Sequence, residues 1–342
     1  MKVLVTGAAG FMGSHLVNSL VGLGEHEVYG VDDLSGGYES NVHEKAKFTK
    51  LDLRDKEKTA SYIDTIKPEL LYHLAADASE GRSQFTPISS TERNYLAYLY
   101  TLIPSIKNGL KKVVLTSSMS VYGAQQFPFS EDMPRKPEDI YGIAKASMEG
   151  ATEILAKVHG FDYTIIRPHN VYGPKQNLAD PYRNVIGIFI NCIMNKKNFY
   201  VYGEGDQKRA FTYIDDFTPY FMKAGLISET NGEIINIGPD QEYMINDAAN
   251  AVLEEFFPDG NIPSDLKPKY LPIRPLEVIN AYCTNDKAKR LLGYKTDTNL
   301  KEGISKMVSW AKTVGPQQFK YLEDGLELNS GDVPETWKNK LI

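Results

Sequence analysis

Residues 2–23 read KVLVTGAAGFMGSHLVNSLVGL: a β-branched run, a glycine-rich turn and a helix pattern in succession. The run KVLVT has strand character, and SHLVNSLVGL has the apolar spacing of a helix. Between them stand Gly7, Gly10 and Gly13 in the spacing Gly-x-x-Gly-x-x-Gly, with Phe11 and Met12 in the last interval. Glycines permit the tight turn and let a diphosphate approach backbone N–H groups at a helix N-terminus. A glycine triplet alone is weak evidence; its strand, turn and helix setting gives it weight.

The next strand pattern, EVYGVDD, ends in Asp32 and Asp33, about twenty residues beyond the first glycines. A carboxylate at that strand end can accept hydrogen bonds from an adenosine ribose and repels a 2′-phosphate, so the expected cofactor is NAD rather than NADP. The plainer reading is a glycine turn followed by an ordinary turn acid. Asp52 and Leu53, closing the third strand pattern FTKLDL, either flank the adenine or begin a helix cap.

Outward from this unit, the runs LLYHLA, KVVLTSS and DYTIIRP alternate with segments of helical length. Such alternation predicts an α/β fold, a doubly wound parallel sheet of Rossmann type. Beyond Pro168 the pattern changes to loops rich in Tyr, Asn and Gly, such as HNVYGPKQN and VYGEGDQKR. The expected organisation is a cofactor domain over 1–168, with later segments returning to it. A smaller α/β substrate region follows over 169–315, and a tail of unassigned role over 316–342.

The chain of 342 residues is long enough for this plan, and its formal charge of −6 without a basic run argues against nucleic acid as a partner. Two cysteines, Cys192 and Cys283, lie far apart and outside metal-ligand spacing, which suits a reducing compartment. The chain enters a strand pattern at once and contains no run of membrane-spanning length, so a cytoplasmic protein without a membrane partner is expected.

Two further segments carry chemistry: TSSMSVYG at 116–123 and DIYGIAKASMEG at 139–150. Tyr141 and Lys145 stand four apart, neighbours on one face if the segment is helical. A nearby ammonium, aided by a cationic nicotinamide, favours the phenolate and makes the tyrosine a usable base. Ser118 follows a strand, and strand C-termini line the ligand crevice of a doubly wound sheet, so Ser118 can share a proton with the same hydroxyl. Arg209 and Arg274 can each form paired bonds to phosphate oxygens, or be surface arginines. His169 lacks a partner at metal spacing and reads as a packed residue, while Tyr172, Tyr200, Tyr202 and Tyr213 read as core or rim.

Taken together, the glycine triplet, Asp32, HLAA at 73–76, Asn94, TSSMSVYG, YGIAK, RPHNVYGP and GEGDQKRAFTYIDD resemble the extended short-chain dehydrogenase/reductase family, within it the nucleotide-sugar epimerases and dehydratases. The resemblance runs from Met1 to about Gly293. It implies permanently held NAD, contacted also by Leu74, Ala75, Ala76, Asn94 and Pro168, and a C-terminal region holding a nucleoside-diphosphate sugar. It implies Ser118, Tyr141 and Lys145 as the catalytic trio, with Lys145 on the nicotinamide ribose. Asn170 and Arg209 would meet the sugar diphosphate, and Arg274 and Glu277 the diphosphate and nucleoside ribose. A homodimer is expected.

Within that group, dehydration needs an acid and a base at the positions held here by Met119 and Ser120, and decarboxylating relatives keep the acid at the second. Neither residue titrates. Chemistry confined to C4 remains: oxidation to a 4-keto sugar and return of hydride to the other face. The expectation is therefore a 4-epimerase, with a UDP-hexose as substrate. The alternatives are a 4-ketoreductase, a dehydratase drawing its acid from Glu80 or Glu131, and a non-catalytic NAD-sensing regulator. Ala281, four residues beyond Glu277, takes a position that is bulky in relatives restricted to plain hexoses, so room is expected beside C2 for an N-acetyl group. A shift of one residue would put Tyr282 there instead, because strand neighbours face opposite ways.

Overall fold

The computed structural model describes residues 1–273, 280–322, 325–329 and 331–342. Six strands form in the order expected: β1 (Lys2–Thr6), β2 (Glu27–Asp32), β3 (Lys47–Lys50), β4 (Leu70–His73), β5 (Lys112–Thr116) and β6 (Asp162–Pro168). A seventh, β7 (Glu233–Ile237), comes from the later part of the chain and pairs with β6. The sheet order is β3-β2-β1-β4-β5-β6-β7 and all pairs are parallel.

Helices cover both faces, so inner strands are apolar on both sides and still alternate. Val3, Val5, Val114 and Ile166 join one core, whereas Leu4, Val113, Leu115 and Ile165 join the other. The first core continues without a break into the later region through Tyr172, Phe189, Phe199, Ile304 and Met307. There, short strands pair across long separations: Lys208–Arg209 lies between Tyr243–Met244 and Asn280–Ala281, and Tyr200–Tyr202 pairs with Lys269–Leu271. Among the described residues no helix is long and apolar enough to cross a membrane.

The helix Ile140–His159 starts where Asp139 accepts the Gly142 N–H at 2.7 Å and stops at Gly160, left-handed at φ 74°. On its inner face Glu149 is fully buried against β6. Arg167 meets it with Nε to Oε1 at 2.9 Å and a second bond of 2.7 Å to Oε2. Ser117 donates to Oε1 and Arg135 to Oε2, each at 2.5 Å. Burial by itself would raise the Glu149 carboxyl, but the bonds and charge of Arg167, with Ser117 and Arg135, outweigh it and hold the carboxyl below its ordinary range. Replacing Glu149 by Gln leaves the buried Arg167 charge uncompensated and is expected to cost about 3–5 kcal/mol in urea unfolding. A loss under about 0.5 kcal/mol, the size of a surface change, contradicts this.

Candidate active site

β1 and β4 are paired neighbours at the switch point of the sheet, where the chain after β1 leads to one side and after β4 to the other. The glycine turn packs against Leu74 and Ala75 at the end of β4. Gly7 sits at φ +69°, and a Cβ there would stand 2.9 Å from the Ala75 nitrogen. A Cβ on Gly13 would lie 2.0 Å from the Gly7 oxygen, so the helix Phe11–Leu23 rests directly on the turn. Its N-cap, Gly10, offers no side chain to the first turn, which leaves the N–H groups there for an anion. Thr6 ties the two strand ends together: its Oγ1 accepts the Leu74 and Ala75 N–H groups at 3.1 Å each and contacts His73.

Asp32 is buried beside this turn and accepts the N–H groups of Ala9 (3.0 Å) and Leu34 (2.8 Å). Burial raises its carboxyl, partly offset by those bonds. Asp33 faces Arg93 at 3.3 Å. Asp52 is held by Arg54 through bonds of 2.6–3.0 Å, and the cap of the following helix is Asp55, so Asp52 is not the capping residue. Leu53 is buried in the core with Leu4 and Val31.

The segment after Asp33 also contributes, although the sequence drew no attention to it. Gly37 lies against the turn so closely that a Cβ would be 2.5 Å from the Ala9 oxygen, and that oxygen accepts from Tyr38 N–H and Asn41 Nδ2. The pair Gly36-Gly37 was the available signal. Asn94 occupies a π-helical turn, Glu92–Leu96, with Nδ2 bound to the Asp77 and Ser90 oxygens. Its Oδ1 is buried without a partner among the described residues. The glycine cradle, the uncapped helix start, the Asp32 carboxylate and this orphaned acceptor fit a dinucleotide. Gly7–Gly13 would hold its diphosphate, Asp32 its ribose, and Asn94 its nicotinamide half.

Past β5, Ser118 begins a short turn, its Oγ accepting the Ser120 N–H at 3.1 Å. Its hydroxyl is near enough to the Tyr141 phenol to favour the phenolate, against the larger effect of burial. Lys145 is buried, donates to the Thr116 oxygen at 2.7 Å and stands 5.6 Å from the Tyr141 ring centre. Ser118, Tyr141 and Lys145 are thus brought together as the spacing suggested. The electrostatics depart from expectation. Burial, then the Glu80 charge, raises the Tyr141 phenol, while burial lowers Lys145 to about 7. In the protein alone desolvation and the Glu80 charge outweigh the Ser118 hydroxyl and the Arg183 charge, which favour the phenolate; a positive cofactor ring would add to that side.

Beside this trio opens a cavity of about 370 Å³. Met119, Ser120, Asn170, Arg209 and Ala281 line it, as do Tyr172, Tyr200 and Tyr202; Tyr172 is at the same time part of the core, and Tyr213 is a buried core residue. Ser120 Oγ donates to Asp139 at 2.7 Å, and Met119 Sδ lies 3.7 Å from Asn170 Nδ2. Asn170 has φ +38° and also donates to the Ala210 oxygen. Tyr282 turns away and packs on Phe127. Glu80 lines the cavity, whereas Glu131 binds the Asn236 N–H. His169 is fully buried, and burial followed by the Arg167 charge lowers it to about 3, leaving a neutral ring. Arg183, unnoticed in the sequence, enters the cavity wall and pairs with Asp180 at 2.8 Å. Arg274 and Glu277 lie outside the described residues.

Comparison with known proteins agrees with this geometry. The model of the NAD dependent epimerase/dehydratase family matches residues 3–238. The UDP-glucose 4-epimerase of Mycolicibacterium smegmatis is 33% identical, over 91% of this chain and 98% of its own. A UDP-N-acetyl-alpha-D-glucosaminuronate decarboxylase of Bacillus cytotoxicus is 30% identical, over 92% of this chain and 98% of its own. Among solved structures, the Thermotoga maritima UDP-glucose 4-epimerase with UDP-glucose superimposes with a TM-score of 0.82 at 32% identity, covering 92% of this chain and 99% of that one. The chain belongs to the NAD dependent epimerase/dehydratase family, in its extended short-chain dehydrogenase/reductase group, and its cofactor is NAD.

Asp32→Ala is expected to reduce the NAD retained through desalting and to narrow the preference over NADP, read from nucleotide released on denaturation. Undiminished NAD with NADP still excluded contradicts the role of this carboxylate.

Proposed function

We propose that the chain interconverts C4 epimers of a UDP-linked hexose through a 4-keto intermediate, accepting a 2-acetamido group. One observation carries the reading. Ser118, Tyr141 and Lys145 stand together at the cofactor cleft, while the next two residues, Met119 and Ser120, supply no acid or base to the cavity.

Bound NAD supplies a hydride acceptor and, once reduced, a donor. Tyr141 takes the proton of the 4-hydroxyl and returns it, with Ser118 sharing the same oxygen. Lys145, set between the Thr116 oxygen and the Tyr141 ring, holds positive charge beside the phenolate when the cofactor is in place. Inversion needs the hexose to turn over while the nucleotide stays anchored. That division favours strong contacts to phosphate, from Arg209 with its fixed fork of donors and from Asn170, and few to the sugar. Ala281 leaves space beside C2.

Ser120 is a weak basis for decarboxylation or dehydration, since its hydroxyl is committed to Asp139. Glu80 is the carboxylate on which a dehydratase reading rests. The test is to incubate the protein with UDP-glucose and UDP-N-acetylglucosamine without added cofactor and to identify products by NMR. C4 epimers are expected from both, and Tyr141→Phe is expected to lower turnover by about 10²–10⁴-fold with NAD still bound. A dehydrated or decarboxylated product, or near-normal turnover in a folded Tyr141→Phe protein, overturns the reading.

A further inference from the structure

The described part of residues 316–342 spans both sides of the site and reaches the cavity, which Asp332, Pro334, Thr336, Trp337 and Ile342 line. On one bank, Gln317 exchanges hydrogen bonds with the Asn191 side chain at 2.9 Å. Lys320 N–H donates to the Ala179 oxygen at 2.8 Å, and Leu322 N–H to the Tyr182 hydroxyl at 3.1 Å. On the other bank, Glu327 accepts the N–H groups of Ile88 and Ser89 at 2.8 Å each, and Leu328 N–H donates to the Phe85 oxygen. Further along, Thr336 Oγ1 lies 2.6 Å from the Tyr202 hydroxyl, and Trp337 inserts between the banks.

Trp337 is 7% exposed. Its ring meets Tyr182 edge-on at 5.3 Å and Phe85 at 6.3 Å, and a Cβ on Gly81 would lie 3.4 Å from it. Phe85 and Gly81 follow the sheet, close to Glu80, whose charge reaches Tyr141; Tyr182 and Tyr202 belong to the later region. The tryptophan therefore fastens the two sides of one cavity, which Asp332, Pro334, Thr336 and Trp337 also line.

We propose that the described residues of 316–342 form a strap completing the nucleoside-diphosphate-sugar site, with Trp337 as the positioning residue that keeps it closed while the sugar is oxidised. The inference rests on the epimerase reading above. A hexose that must turn over cannot be held by many directed bonds, and a wall of apolar rings confines it without fixing its orientation. The strap's outer attachment, Glu327 on two exposed N–H groups, can break in water at little cost. Entry and exit of the nucleotide-sugar then follow release of the Trp337 contacts.

The chain has two tryptophans, so Trp310→Phe leaves Trp337 as the sole indole reporter in an otherwise intact holoenzyme. Titration with UDP and with UDP-glucose is expected to shift its emission saturably. In a second protein, Trp337→Ala, KM for UDP-glucose is expected to rise severalfold. Turnover there should decay as 4-keto sugar escapes: one hydride stays on the nicotinamide, seen as a growing near-ultraviolet band, and free ketone appears in equal amount. A silent Trp337 signal under both ligands overturns the strap, as does a folded Trp337→Ala protein with the parent KM and no stranded reduced cofactor. A saturable Trp337 response in a protein that turns over no UDP-sugar supports the strap as part of a nucleotide site and overturns the epimerase reading instead.

Discussion

The buried carboxylate of Glu149 sets the frame on which the candidate site depends. It is bound on two oxygens by Arg167 of β6, by Ser117 of the segment leading to Ser118, and by Arg135 from the loop before the helix. Tyr141, Lys145 and Glu149 follow one another at intervals of four on a single helical stripe. Anchoring the lowest rung therefore sets the other two: Lys145 against the Thr116 oxygen, and Tyr141 against Ser118. The same carboxylate positions both halves of the candidate catalytic set, because Ser117 precedes Ser118. A buried ion pair is a poor source of net stability, and its value here is geometric.

The electrostatic state of this ladder is incomplete in the protein alone. Burial drives Lys145 to about 7 and raises the Tyr141 phenol, so both groups drift toward neutrality. Asp32 shifts the same way, its carboxyl raised by burial. Each of these buried groups faces the cleft where the dinucleotide belongs. A cationic nicotinamide favours the phenolate, and ribose hydroxyls can satisfy the carboxylate. Cofactor binding and preparation of the base are then one event, which accords with a cofactor that stays bound through the cycle.

Local features were the legible ones. The glycine triplet, Asp32, and the Tyr141–Lys145 spacing each depend on residues close in sequence, and strand periodicity carried six of the seven strands. What escaped depends on distant partners. Strand β7 reaches β6 from far along the chain, and Gly37 matters only because it touches Ala9. The Asn94 bulge arises from a π-helical turn that apolar periodicity does not reveal. Arg183 and Trp337 sit in segments of weak periodicity and meet the cavity only through tertiary contacts. The choice between Ala281 and Tyr282 needed the strand pairing with Arg209, which turns alanine inward and lets tyrosine pack on Phe127.

The central claim is that reaction is confined to C4, with no proton drawn from a neighbouring carbon. Turnover in deuterated water tests it most directly. A cycle in which the hydride leaves C4 and returns to C4 predicts an inverted sugar with no carbon-bound deuterium, while Tyr141 exchanges only hydroxyl protons. Deuterium at C5 or C6 of the product would require a carbon acid to have been deprotonated, and would contradict the account.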